Sequence, residues 1–94
     1  MAKKCEALEG LIHEAEEVME EIDDKMTMDA AIISSAQTVE HYEMARYGTL
    51  TCRAAEIGNS TVFDLLHKTL DEEKAADVAL SGIAVGSIYQ QAAA

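Results

Sequence analysis

The sequence runs for 94 residues without a single proline, and that absence limits the fold more than any residue present. Proline ends helices from within, because it lacks a backbone N–H and its ring clashes with the carbonyl four residues back. A chain without it, whose 49% hydrophobic residues are mostly Ala, Leu, Ile, Met and Val and whose aromatic share is 4%, favours helix over sheet. The expected class is all-α. Glycine and small polar residues are then what can interrupt a helix. Gly58-Asn59 is the sharpest such break, since both residues tolerate the left-handed conformation that closes a helix C-terminus.

Three helical segments follow. From Cys5 to Ile22, the residues Leu8, Leu11, Ile12, Ala15, Val18, Met19 and Ile22 recur at intervals of three and four. They form one apolar stripe, with Glu9, Glu16, Glu17 and Glu20 turned away from it. The stretch DDKMT interrupts the pattern, and Thr27 or Asp29 can cap a second helix expected over residues 28–57, about eight turns long. A third is expected over residues 60–82, where Thr61 and Asp64 have the spacing of a capping box. Gly82 and Gly86 weaken it, which leaves residues 83–94 as a tail. The whole is one small domain.

The second helix carries a seam of Ile33, Ala36, Glu40, Glu43, Tyr47, Leu50, Ala54 and Ile57, spaced alternately three and four apart as in a helical bundle. Two glutamates stand in its middle, where leucines belong. The third helix repeats this with Phe63, Leu66, Leu70, Glu73, Asp77, Leu80 and Ala84. If the two helices fold back on each other at Gly58-Asn59-Ser60, positions equidistant from the turn lie side by side. Glu40 and Glu43 then fall level with Glu73 and Asp77.

Ionised carboxylates buried together lose hydration worth several kcal/mol each and repel one another, so something must compensate. Divalent cations do so where facing helices of a bundle present carboxylates. Protonation through raised pKa values, or tilting of the side chains into solvent, does so without metal. Periodicity alone leaves these alternatives open.

The segments KKCEALEGLIHEAEEVMEE, DAAIISSAQTVEHYEMARYGTL and LLHKTLDEEKAADVALSGIA resemble the C-terminal part of the YciE/YciF family of ferritin-like bacterial proteins, which are associated with stress. VEHYEMARYGTL and TLDEEKAAD are the distinctive pair, and the resemblance spans nearly the whole chain. It implies a four-helix ferritin-like bundle in which residues 5–22 are the crossover helix and residues 28–57 and 60–82 the third and fourth bundle helices. The first two bundle helices have no counterpart in this sequence. The resemblance further implies that Glu40 and Glu43 match the third-helix carboxylates of rubrerythrin-type relatives, and Glu73 the glutamate of the fourth-helix E-x-x-H motif. Ala76 stands where that histidine is expected, with Asp77 beside it. An all-oxygen set of Glu40, Glu43, Glu73 and Asp77 suits iron or manganese.

Such centres draw ligands from all four helices. A homodimer, in which a two-fold axis sets two hairpins together, would restore four helices and a shared site. By analogy the implied chemistry is ferroxidase or peroxidase-like, though a fold alone does not define an activity. The reading from a different class is a metal-free helical dimerisation or protein-interaction module. A third is a truncated gene product without independent activity.

Other residues read more plainly. His41 is turned about 100° from Glu40 on a helix and reads as a surface residue. His13 with Glu17, and His67 with Asp71, have the spacing of ordinary helix-surface pairs. Tyr47, one turn beyond Glu43, is placed equally to bond a ligand carboxylate or to sit at the rim of a core. Met19, Met26, Met28 and Met44 fill gaps in a core or interface. Cys5 and Cys52 form no C-x-x-C pair and read as inert thiols, which with no signal peptide points to a reducing cytoplasm. The formal charge of −11 repels phosphate backbones and anionic lipid, so neither nucleic acid nor membrane is an expected partner.

Overall fold

The computed structural model describes residues 3–93. Helix α1 spans Glu6–Glu20, α2 spans Lys25–Glu56 and α3 spans Ser60–Ile83. A π-helical turn, Ala84–Ile88, and a short α4, Tyr89–Ala93, continue directly from α3.

Helix α2 begins three residues earlier than its sequence pattern suggests. Asp24, not Thr27 or Asp29, is its N-cap: Oδ2 of Asp24 accepts 2.8 Å bonds from both the backbone N–H and the hydroxyl of Thr27. Thr27 thus serves as the cap's partner within the first turn, and Lys25 pairs with Asp29 at 3.7 Å one turn on. Several cap-forming residues lie together here, and Asp24 prevails as the one that stands directly before the first turn with an extended backbone, ψ of 129°.

The α2–α3 turn shows why the sequence places glycine there. Gly58 has a φ of 74°, a conformation that costs any residue with a Cβ roughly 1–2 kcal/mol. Its N–H bonds to the Ala55 carbonyl and that of Asn59 to the Ala54 carbonyl, both at 3.1 Å, the paired bonds of a Schellman motif. Asn59 then caps α3, its Oδ1 accepting from the Val62 N–H at 3.1 Å. The expected capping box of Thr61 and Asp64 is therefore not the start signal: the tight turn puts the cap two residues earlier.

The C-terminal tail, whose order the sequence leaves open, is helical over residues 84–93, with Ala94 outside the described residues. Ala84 is 1% exposed, and Ile88 and Ala92, each four residues on, are half-buried. A wide turn at Ala84–Ile88 keeps this line facing α2 while accommodating Gly86. Packing here outweighs the low helix propensity of glycine.

Helices α2 and α3 form an antiparallel hairpin, and α1 lies along the first half of α2. Cys5 caps α1, its Sγ accepting from the Leu8 N–H at 3.5 Å, and the same sulfur hydrogen-bonds the Tyr42 hydroxyl at 3.1 Å. Between α1 and α2 a cleft is lined by Leu11, Ala15 and Val18 on one wall and Ala31, Ser35 and Thr38 on the other.

The core is thin. Among the described residues only Ile33, Thr51, Ala54, Leu70 and Ala84 are buried. A compact chain of this length has a radius of gyration of about 12 Å. This one measures 16.4 Å and extends 52 × 32 × 14 Å, so it is a slab one helix thick. Of the seam residues, Ile33, Ala54, Leu70 and Ala84 face the neighbouring helix. Leu50 and Ile57 face outward, 49% and 70% exposed.

Candidate carboxylate centre

The hairpin brings Glu40 of α2 against Glu73 of α3. Both are half-buried, and Oε2 of Glu40 is enclosed with no hydrogen-bond donor of its own. The two carboxyls bond only when one of them carries a proton. The Glu73 carboxyl is pushed above its ordinary pKa, first by that hydrogen bond to Glu40, then by burial and by the repulsion of the Glu40 charge. A buried carboxylate oxygen without a donor is costly. Sharing a proton is the remedy available within one chain, and a cation is the other.

Asp77, one turn beyond Glu73, does not join this pair. Its Oδ1 lies 3.0 Å from Nε2 of His41 and accepts from Nε2 of Gln37 at 3.3 Å. The same Gln37 nitrogen donates to the Asp77 carbonyl at 3.4 Å and to the Ser81 hydroxyl at 2.8 Å. Glu43, half-buried on α2, also stands apart. Among the described residues, no three His, Cys, Asp or Glu side chains converge closely enough to hold a metal ion. The single layer of four carboxylates expected from the heptad spacing is thus divided into a Glu40–Glu73 pair, an Asp77–His41–Gln37–Ser81 group and a separate Glu43. The spacing placed the four at one height but did not say which would reach which.

The position of Glu43 is informative in its own right. Ile32, Glu43, Leu50 and Ile57 follow at eleven, seven and seven residues, each close to a whole number of 3.6-residue turns. Ile32, Leu50 and Ile57 are all exposed, so Glu43 sits within a bare apolar stripe. The stripe is turned about 100° from the line of Ala31 and Tyr42 that meets α1. Helix α3 contributes exposed Val62, Leu65 and Ile83.

Two contacts escape a reading by apolar periodicity. His41 is 64% exposed at its side chain, as a surface residue should be, yet its imidazole reaches Asp77. The other is Gln37 with Ser81, and the signal that could have found both is the spacing of four in 37/41 and in 77/81. His13 pairs with Glu17 at 3.1 Å and His67 with Asp71 at 3.4 Å along their own helices. The His67 ring stacks on Phe63 at 5.5 Å. Cys5 and Cys52 are free and exposed. The Tyr42 hydroxyl, followed by the Leu8 N–H, draws the Cys5 thiol below its ordinary pKa, and the same bond raises that of Tyr42.

An antiparallel helical hairpin with a third helix laid along it, and acidic side chains where its seam should be apolar, defines an all-α, ferritin-like bundle fragment. The chain matches the domain of unknown function DUF892 over residues 1–93, and it belongs to that family. It is similar to Protein YciF of Escherichia coli strain K12, with 47% identity over 89 residues that cover 95% of this chain and 54% of the relative. The crystal structure of the E. coli stress protein YciF superposes with a TM-score of 0.88 at 46% identity, covering 95% of this chain and 56% of the other. YcfI, described as a putative structural protein from Rhodopseudomonas palustris, superposes with a TM-score of 0.83 at 50% identity over 85% of this chain and 51% of its own. The chain thus spans about half the length of the relatives it matches. None of its helices is long and apolar enough to cross a membrane among the described residues.

Proposed function

We propose that two copies of this chain pair through their bare apolar stripes and hold iron or manganese between carboxylates contributed by both. The observation that carries this reading is the enclosed, donor-less Oε2 of Glu40, whose carboxyl lies beside that of Glu73. That oxygen offers lone pairs to a hard cation, whose only rival within the chain is a proton shared with Glu73. One hairpin supplies too few ligands. Glu43, set among exposed Ile32, Leu50 and Ile57, is placed to enter a site as those apolar residues are covered. A bound cation supplies charge compensation and, for iron, electron transfer to oxygen or peroxide. This chain's part is to bring Glu40 and Glu73 together and to keep water from their enclosed face. By its likeness to a protein described as a stress protein, we assign the chain a part in the bacterial stress response.

The test is titration of the purified chain with Mn2+ and, without oxygen, Fe2+, alongside light scattering. Tight binding that is lost in Glu40→Ala and Glu73→Ala, on a particle of two chains, is the expected result. Chelation by EDTA should then lower thermal stability, because a ligand bound only by the folded state raises it. A compact monomer, or binding unchanged in both variants, overturns the proposal.

A second reading is favoured by a specific observation, the dispersal of the four carboxylates over three groupings. In it the chain is a metal-free helical module whose apolar stripe docks a helical partner. Dimerisation indifferent to Mn2+ and to Glu40→Ala would establish it.

A further inference from the structure

We infer that Asp77 is a positioning residue: with Gln37, His41 and Ser81 it forms a polar clasp across α2 and α3 that fixes how far Glu40 stands from Glu73. The inference rests on the proposed carboxylate site for what the clasp serves, but not for the clasp's existence.

The contacts form two rungs. On α2, Gln37 and His41 are four residues apart, and on α3 so are Asp77 and Ser81, so each helix offers two adjacent turns of one face. Gln37 Nε2 reaches the Ser81 hydroxyl at 2.8 Å on one rung and Asp77 Oδ1 at 3.3 Å on the other. His41 Nε2 closes on the same Oδ1 at 3.0 Å. A single contact would let the helices pivot; contacts on two successive turns fix both their separation and their axial register. Two donors already converge on Oδ1 of Asp77, whose side chain is 19% exposed, so the lone pairs of that one oxygen are spent on holding α3 to α2.

The location gives the clasp its purpose. Glu40 lies one turn after Gln37, and Glu73 one turn before Asp77. Ionised together, Glu40 and Glu73 push the helices apart. The nearest buried apolar residues are Ile33 and Ala84, one turn beyond the clasp, and Leu70, one turn beyond the pair. Between those levels, the clasp supplies the hydrogen bonds that oppose the push.

The experiment uses the full chain with three substitutions and Mn2+ as the probe. Asp77→Asn keeps the oxygen that accepts from Gln37 and His41 but removes the charge a ligand would supply. Asp77→Ala removes both, and Gln37→Leu removes the other half of the clasp. We expect Asp77→Asn to bind Mn2+ within about threefold of the parent chain and with the same electron paramagnetic resonance spectrum. Asp77→Ala and Gln37→Leu should each bind at least about tenfold more weakly, and their combination no more weakly than either alone. Loss of binding in Asp77→Asn equal to that in Glu73→Ala, or a changed spectrum, would make Asp77 a ligand and overturn the inference. Melting curves without metal decide the clasp separately. If the two single losses in Tm exceed that of the double variant the clasp stands, and if they simply add it falls. A parent chain that binds no Mn2+ overturns the proposed function instead, and leaves the melting cycle to judge the clasp.

Discussion

Glu40 and Glu73 show how a pair of like side chains can occupy one seam. With its pKa raised in the folded chain, Glu73 binds its proton more tightly when folded than unfolded. Its contribution to stability is therefore fully present below the ordinary glutamate value of about 4.3. That contribution is lost as pH climbs through the raised folded value. Metal-free chain should melt lower at pH 7 than at mildly acidic pH on this account, and Glu40→Gln should remove most of the difference. The variant should melt a few degrees higher than the parent at pH 7 without metal, and no higher at acid pH, in thermal scans followed by circular dichroism. With Mn2+ present the order should reverse, since the same substitution removes a ligand. Tyr42 offers a second check. Because its hydroxyl is the main cause of the lowered Cys5 pKa, Tyr42→Phe should slow alkylation of Cys5 by iodoacetamide at pH 7 several-fold and leave Cys52 unchanged.

At the level of helices, the elements that were easy to read are those fixed by backbone constraint. Gly58 at φ 74° leaves little choice of residue, and Gly58→Ala should cost about 1 kcal/mol, a fall of roughly 4–8 °C in Tm for a domain of this size. The start of α2 was harder to read because Asp24, Thr27 and Asp29 can all cap. What separates them is how the chain leaves α1, which no local pattern records. The helical C-terminus was hidden for a similar reason. Gly82 and Gly86 argue locally against helix, while the burial of Ala84 against α2 argues for it from a distance. The candidate site divides the same way. Heptad spacing sufficed to bring the four carboxylates near one height, but counting from the turn sets Glu40 against Asp77, not against Glu73. The partners of Asp77 depend on side-chain reach, and a polar residue such as Gln37 is invisible to a search for breaks in an apolar line.

Over the whole molecule, the decisive dimension is the 14 Å thickness. A globular chain hides its main apolar groups by folding over them, and this one leaves Ile57, Leu65, Val78 and Val85 each at least 65% exposed. Surface of that kind in a chain of −11 charge needs a cover that also tolerates the acid, which is what a second hairpin with cations between would provide. The thinness has a further consequence, for the clock by which the backbone exchanges its hydrogens. In a thick protein the slowest amides report the free energy of unfolding and ignore concentration. A single layer of helices has no such sheltered interior, so the amides of α2 on the Leu50 side owe their shelter to whatever lies across them. Their deuterium uptake should quicken on tenfold dilution while the Gly58 turn keeps its rate. Uptake indifferent to dilution would mean that the layer stands alone in water.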